Sequence, residues 1–572
     1  MRLRSVITCI WPLILGAACG SDGNEPVDDG GGDLGDVEGI EEVAEGLTDL
    51  SSQCTFTVGT GLMELELATG DIAMINKAPD ARVVINGFAC QGATATTLKN
   101  LVITGTSGAQ TVIIDYMGGT FALGTTGGAG IDVDLSGGTD ALKIRGSKAV
   151  DNYVFGDGIA INTDNNKDIT FANVETFVAT LSDGADVFSG AGNTATGATA
   201  FTAVLTLYGG AGNDVLRGGD GDDIYFGGDN DDTFLAGPAD DGADVMNGGA
   251  GIDTIDYSAR VAAVVATIEG TANDGVSGEL DNVKVDIENL KGGTVGDTLT
   301  GSTAANVISG GAGDDTLAGG GDIDTLNGDA GDDTFNEGSA TNGADVMNGG
   351  AGTDTVSYAL RTNPVVVNID ATANDGETGE GDKVVSDVEN ATGGAGVDTL
   401  TGSVSNNVLD GGAAIDTISG GDGNDTIRGG AAADILTGGN GDDTFDEGSA
   451  SNGADTITGG AGIDLVSYGA RIAAVVVVMD ATTASGEASE GDKIGTDVEN
   501  LRGGAETDTL TGNALDNVLE GGAEVDTIKG LGGDDAIDGD ADADIIDCGD
   551  GDGDILLDNT VDLVLVPVNC EL

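Results

Sequence analysis

From residue 209 onward the apolar positions obey a spacing that fits neither a helix nor an ordinary strand: one core-type residue in every nine. GGAGNDVLR (209–217) runs into GGDGDDIYF (218–226) and GGDNDDTFL (227–235), which puts Leu216, Tyr225 and Phe234 at position eight of their units. An amphipathic helix needs apolar residues every three or four positions, and a half-buried strand every second one. One inward side chain per nine residues fills a core only when successive units stack. The pattern therefore predicts very short strands joined by six-residue turns, whose glycines tolerate positive φ. Two nonamers then close a flattened coil of eighteen residues, with like turns on one edge about 4.8 Å apart.

Residues 51–205 carry longer β-type runs: ARVVING (81–87), LKNLVITG (98–105), QTVIIDYM (110–117) and NKDITFANVETFVATL (166–181). Glycine, asparagine and aspartate separate them, predicting an irregular β-solenoid, with a β-sandwich as the alternative. The expected fold is all-β throughout, a parallel β-roll or β-solenoid of repeats behind an N-terminal β-rich domain.

The repeats fall into four blocks, 206–257, 292–357, 393–467 and 503–547, separated by inserts at 258–291, 358–392 and 468–502. Each insert follows a twelve-residue unit and a Tyr (Tyr257, Tyr358, Tyr468), and contains an apolar run, a Gly/acid loop and a DIEN or DVEN tetrapeptide. The tyrosines are 101 and 110 residues apart, so one block holds an additional nonamer, and successive inserts are expected to leave the coil from opposite sides. The apolar run predicts a strand. The loop acids, Asp274, Glu279 and Asp281 with their counterparts Asp375, Glu380, Asp382 and Ser485, Glu490, Asp492, predict a solvated projecting turn, with a further calcium site as the alternative.

Charge changes the picture most. The 572 residues carry a formal charge of −79, with no histidine. Such a charge disfavours nucleic acid or an anionic membrane as partner, and the missing imidazole excludes His-dependent triads and HExxH zinc sites. Disorder would fit an acidic, aromatic-poor chain, yet here the acids stand in phase with the apolar positions. The expected metal-binding carboxylates are Asp214, Asp223, Asp232 and Asp253; Asp297, Asp315, Asp324, Asp333 and Asp354; Asp398, Asp416, Asp425, Asp434, Asp443 and Asp464; and Asp508, Asp526, Asp535 and Asp544. Stacked about 5 Å apart at an effective dielectric near 20, two of them repel by roughly 3 kcal/mol, so a cation is required between turns. Calcium accepts six to eight carbonyl and carboxylate oxygens, whereas magnesium demands a stricter octahedron. Asn306, Asn407 and Asn517 stand where Asp is expected and predict weak sites or plain turns.

The opening MRLRSVITCIWPLILGAACG reads as a secretory signal, residues 1–19. LGAAC (15–19) resembles a bacterial lipobox, which implies lipidation of Cys19 and an outer-membrane or cell-surface location; ordinary signal cleavage is the alternative. Residues 20–50, rich in Gly, Asp and Glu, predict a flexible tether. The remaining cysteines lie in two separated pairs, and proximity selects Cys54–Cys90 and Cys548–Cys570 from three connectivities. The second bridge would close a C-terminal cap at 548–572.

Over 209–547 the sequence resembles the hemolysin-type, or RTX, calcium-binding repeat. The resemblance implies a parallel β-roll in which several calcium ions sit between adjacent turns, held by the position-six aspartates above and by loop carbonyls. Typical members are secreted through a C-terminal signal, whereas this chain begins with an export signal. The reading is thus an exported, calcium-binding, non-enzymatic protein that meets a membrane only through a lipid anchor. One alternative is an adhesin or spacer presenting 51–205 to a cell-surface or glycan ligand. Another is a carbohydrate-active β-helix enzyme, whose acid and base would be carboxylates.

Overall fold

The computed structural model describes residues 48–58, 62–78, 82–94, 98–117, 130–156, 158–161, 168–192, 200–540, 542–557 and 563–564. The chain divides into two compact units, Met1–Lys291 and Gly292–Leu572. The described residues contain no α-helix, and apart from one 3-10 turn at Ser51–Gln53 the regular structure is strand.

In the first unit the chain alternates between two stacks of strands. One stack sets Leu62–Glu66, Asn100–Thr104, Ile131–Asp134 and Ile169–Ala172 parallel to one another. The other sets Ile72–Lys77, Thr111–Asp115, Ala141–Arg145 and Thr176–Asp183 parallel, and continues into Leu205–Ala211, Ile224–Asp229 and Val245–Ala250. Alternation between two parallel stacks is a solenoid, so the sandwich alternative does not hold. Antiparallel pairing is local: Cys54–Thr57 on Leu62–Glu66, Arg82–Ile85 between its neighbours, and Asn152–Phe155 on Ile159–Ile161. The Cys54–Cys90 disulfide forms as expected. Its counterpart lies partly outside the described residues, as Cys570 does, and so do Cys19, the signal and nearly all of the tether.

The nonamers of the second unit pair as the spacing requires. Thr298–Thr300, Thr316–Ala318 and Thr334–Asn336 stack in register at steps of eighteen, and the step to Thr355–Ser357 is twenty-one because it crosses a twelve-residue unit. In each three-residue strand only the middle residue is buried, as in Leu299, Leu317, Phe335 and Val356. Glycine is demanded by close approach as well as by φ: in the first unit Gly210 has φ 112, and a Cβ there would lie 1.9 Å from the Ser182 carbonyl oxygen.

Each insert rejoins the coil. Val365–Asn368 pairs parallel with Thr399–Thr401 and antiparallel with Gly376–Glu377. Lys383–Val384 then stacks on the strand from Val346, and Asn390–Thr392 on Thr355–Ser357. The insert is therefore an additional turn of the coil with a hairpin attached, which corrects the projecting excursion. The expected alternation of sides fails between the second and third inserts: Thr355–Ser357 and Leu465–Ser467, which precede them, belong to the same sheet, whereas Thr254–Asp256, before the first insert, belongs to another. The side is set by the total number of half-turns between inserts, including those the insert supplies. That total is even here, whatever its difference from the preceding block.

Candidate metal centres

Every turn delivers its position-six side chain into a hydrogen-bonded column. Asp186 donates its N–H to Asp214 Oδ1 at 2.7 Å, Asp214 to Asp232 Oδ1 at 2.8 Å, Asp232 to Asp253 Oδ1 at 2.8 Å, and Asp253 to Glu288 Oε2 at 2.8 Å. In the second unit the same bond links Asp297, Asp315, Asp333 and Asp354 and ends on Glu389. A neighbouring column links Asn407, Asp425, Asp443 and Asp464 and ends on Glu499. The glutamate of the DIEN or DVEN tetrapeptide thus takes the position-six role at the end of a column. Each carboxylate satisfies the main chain of the turn before it.

That bond uses one oxygen. In fifteen of the nineteen sequence-predicted aspartates the other, Oδ2, is buried without a hydrogen-bond partner. The exceptions are Asp223, Asp297, Asp398 and Asp508, which stand at or near the start of a column. Asp223 Oδ2 accepts the Gly219 N–H at 2.8 Å, Asp398 Oδ2 the Gly394 N–H and Asp508 Oδ2 the Gly504 N–H, both at 2.6 Å, and Asp297 Oδ2 the Gly293 N–H. Asn306, Asn407 and Asn517 take the N–H of the residue four back in the same manner. These seven side chains lock their own turns. The Oδ2 oxygens, orphan or not, lie against position-one glycines: a Cβ on Gly227 would meet Asp232 Oδ2 at 2.3 Å and the Gly248 carbonyl oxygen at 2.6 Å. Glycine keeps open a small space walled by oxygen.

An unpaired buried carboxylate oxygen is costly. Burial raises Asp232 to about 8, and Asp253, Asp315, Asp324, Asp416 and Asp526 to about 7, with the donated N–H pulling the other way. A hard cation relieves the same penalty without protons, and carboxylate plus carbonyl oxygen is the donor set calcium takes. The residues present fit the ion.

Sequence reasoning missed several members of the columns. Asp186, Asp345 and Asp455 are buried, accept the same N–H and carry the same orphan Oδ2, as does Asp554. The first three sit in Gly-Ala-Asp tripeptides (184–186, 343–345, 453–455), a signal that the nine-residue frame hides. The column also reaches upstream of the repeats: Gln110 donates its N–H to Asp140 Oδ1, and Asp140 donates to Glu175.

The family model of the RTX calcium-binding nonapeptide repeat matches residues 206–234, 239–256, 291–359, 392–445, 448–470 and 495–555 through overlapping copies. The chain carries RTX repeats. They bind calcium, and their matched span contains every orphan aspartate that the nonamer spacing predicts. No curated protein matches the chain.

Between RTX blocks, the insert acids are buried, which corrects the solvated turn. Asp274, Glu279 and Asp281 are at most 4% exposed, and Asp375, Asp382 and Asp492 at most 1%. Asp375 closes the hairpin by accepting N–H groups from Asn368 and Val384. Glu380 receives Arg361 Nη2 at 2.8 Å, and Glu490 receives Arg471 Nη2 at 2.7 Å. Both guanidinium groups are fully buried and lie over Tyr358 and Tyr468, with centroid distances of 5.7 and 5.5 Å. The tyrosine hydroxyls donate to Asp382 and Asp492 at 2.7 Å. The signal was the Tyr-x-x-Arg of YSAR, YALR and YGAR, three residues whose spacing places a cation over the ring.

Proposed function

We propose that this chain is an exported, non-enzymatic protein whose RTX coil is ordered by calcium held between successive turns, with Cys19 as its lipid anchor at the cell surface. The observation that carries the reading is the set of fifteen predicted aspartates whose second oxygen is buried and unpartnered. In this reading those fifteen are the ligands, with neighbouring glycine carbonyls, while Asp223, Asp297, Asp398 and Asp508 lock turns. Bound calcium supplies the positive charge that the columns lack. Its binding free energy is then folding free energy. In low-calcium cytoplasm the coil stays unfolded and exportable, and millimolar external calcium orders it, as in other extracellular calcium modules.

The test is circular dichroism of the full chain during titration with calcium, with magnesium and EGTA as controls. A β-signal that grows with calcium and is lost in EGTA supports the reading; one indifferent to the chelator overturns it.

A further inference from the structure

We infer a second class of cation site, outside the nonamer turns, at the roots of the second and third inserts. At the second insert Glu337, Asp345 and Asp382 are 1%, 0% and 0% exposed, and one oxygen from each lies within 4.8 Å of the others. One oxygen of each is committed. Glu337 Oε2 accepts from Asn342, Asp345 Oδ1 from the Asp324 N–H and Asp382 Oδ1 from the Asp345 N–H. Glu337 Oε1 and Asp345 Oδ2 are buried with no partner, and Asp382 Oδ2 has only the Tyr358 hydroxyl. The charge of Arg361 reaches Glu337 and Asp345, but its hydrogen bonds go to the Glu377, Glu380 and Asn342 side chains and, at Glu337, only to the main-chain carbonyl. Three buried carboxylates that the arginine does not touch, all oxygen donors, fit a hard divalent cation such as calcium.

The third insert gathers a related set with one member changed. Glu447, Glu490 and Asp492 converge within the same distance, Glu490 being held by Arg471 at 2.7 Å, while Asp455 Oδ2 is an orphan and Asn452 and Tyr468 serve as Asn342 and Tyr358 do.

The first insert supplies a control within the molecule. Ala236 stands where the others have Glu337 and Glu447, and Tyr225 stands where they have Leu326 and Leu436. The Tyr225 hydroxyl donates to Asp244 Oδ2 at 3.0 Å, and Tyr257 donates to Asp281 Oδ2 at 3.2 Å. A phenol satisfies here the oxygen that the other two modules leave bare. Asp241, paired with Arg260, also stands where the others have Asn342 and Asn452, so across these positions the first module keeps the number of acids, moves one onto the arginine and adds a phenol donor at the oxygen left bare elsewhere.

The proposal goes beyond the calcium-ordered coil, since Glu337 and Glu447 belong to no nonamer. The experiment counts calcium bound at saturation to the full chain, by equilibrium dialysis and atomic absorption. Glu337→Gln with Glu447→Gln is expected to bind two fewer ions per chain than the parent. An unchanged count overturns the proposal, because glutamine would then be standing in for an acid that was neutral all along. Tyr225→Leu with Ala236→Glu and Asp241→Asn is expected to add one ion, and no gain overturns it; this graft decides the matter if the glutamine variant does not fold. Failure of the coil reading looks different, as no calcium would bind to either protein.

Discussion

Residues 62–192 and the RTX turns from Gly209 both stack parallel strands within the first unit, but they fill their interiors differently. The upstream strands bury several apolar residues each, as in Val112, Ile113 and Ile114 or Leu101 and Ile103, and Phe155, Phe177, Phe188 and Phe201 form one aromatic cluster. A disulfide ties Cys54 to Cys90. An RTX strand buries one apolar residue and, in the adjoining turn, one carboxylate, as Leu216 and Asp214 do. Apolar burial at about 25 cal/mol per Å² carries most of the first design, in which buried acids such as Asp140 and Asp186 are few. The second needs its charge answered. Similar topology therefore implies no similar dependence on solution conditions.

The sharpest way to break this contrast is limited proteolysis with and without EGTA. Chelation is expected to expose cleavage sites throughout the RTX blocks while a fragment ending near residue 192 survives; simultaneous loss of both regions would erase the distinction. Next in size are two substitutions measured by thermal unfolding across calcium concentrations. Ile113→Ala, in a fully buried upstream strand, should cost about 2–5 kcal/mol whether or not calcium is present. Asp232→Asn should cost about 2–3 kcal/mol at saturating calcium and almost nothing in EGTA, because it removes a binding linkage and little packing. Equal costs in both buffers would refute the assignment.

Acid supplies a smaller test with a definite sign. In metal-free protein, burial raises Asp232 to about 8 and Asp244 to about 9 in the folded chain, above their unfolded values near 4. Between those values the folded state binds more protons, so its stability is fully present below about pH 4 and is lost as pH rises from there through about 8 to 9. In EGTA the β-signal should be stronger at pH 5 than at pH 8, whereas calcium affinity should weaken on the same acidification, since proton and metal compete. The smallest expected effect is Asn306→Asp. Its acceptor oxygen already serves the Ser302 N–H, so the added charge should gain no ion, and its burial should cost about 1 kcal/mol.

The nine-residue spacing made the coil legible because glycine, aspartate and one apolar residue each have a single physical use in it. Asp345 and Asp455 escaped because twelve-residue units put them out of frame, although their Gly-Ala-Asp context repeats. The insert acids were misread for a different reason. Acid-rich loops suggest solvent, and the Tyr-x-x-Arg that carries Arg361 and Arg471 lies well before those acids in the sequence, so the loop itself does not announce its buried partner. Likewise, the separation of Asp297, Asp398 and Asp508 from the other aspartates depends on an N–H four residues back, which the same letters offer in every turn.

The columns also have a direction. The amide of each column aspartate is satisfied by a carboxylate nearer the C-terminus, eighteen or twenty-one residues on between most successive turns and farther across an insert, as from Asp354 to Glu389. A chain leaving a pore with its N-terminus first would hold its newest turn incomplete until the next has emerged, so order would trail translocation by one full coil. Glu288, Glu389 and Glu499 end this dependence by supplying the last acceptor from an insert. Each block can then be finished before the next begins.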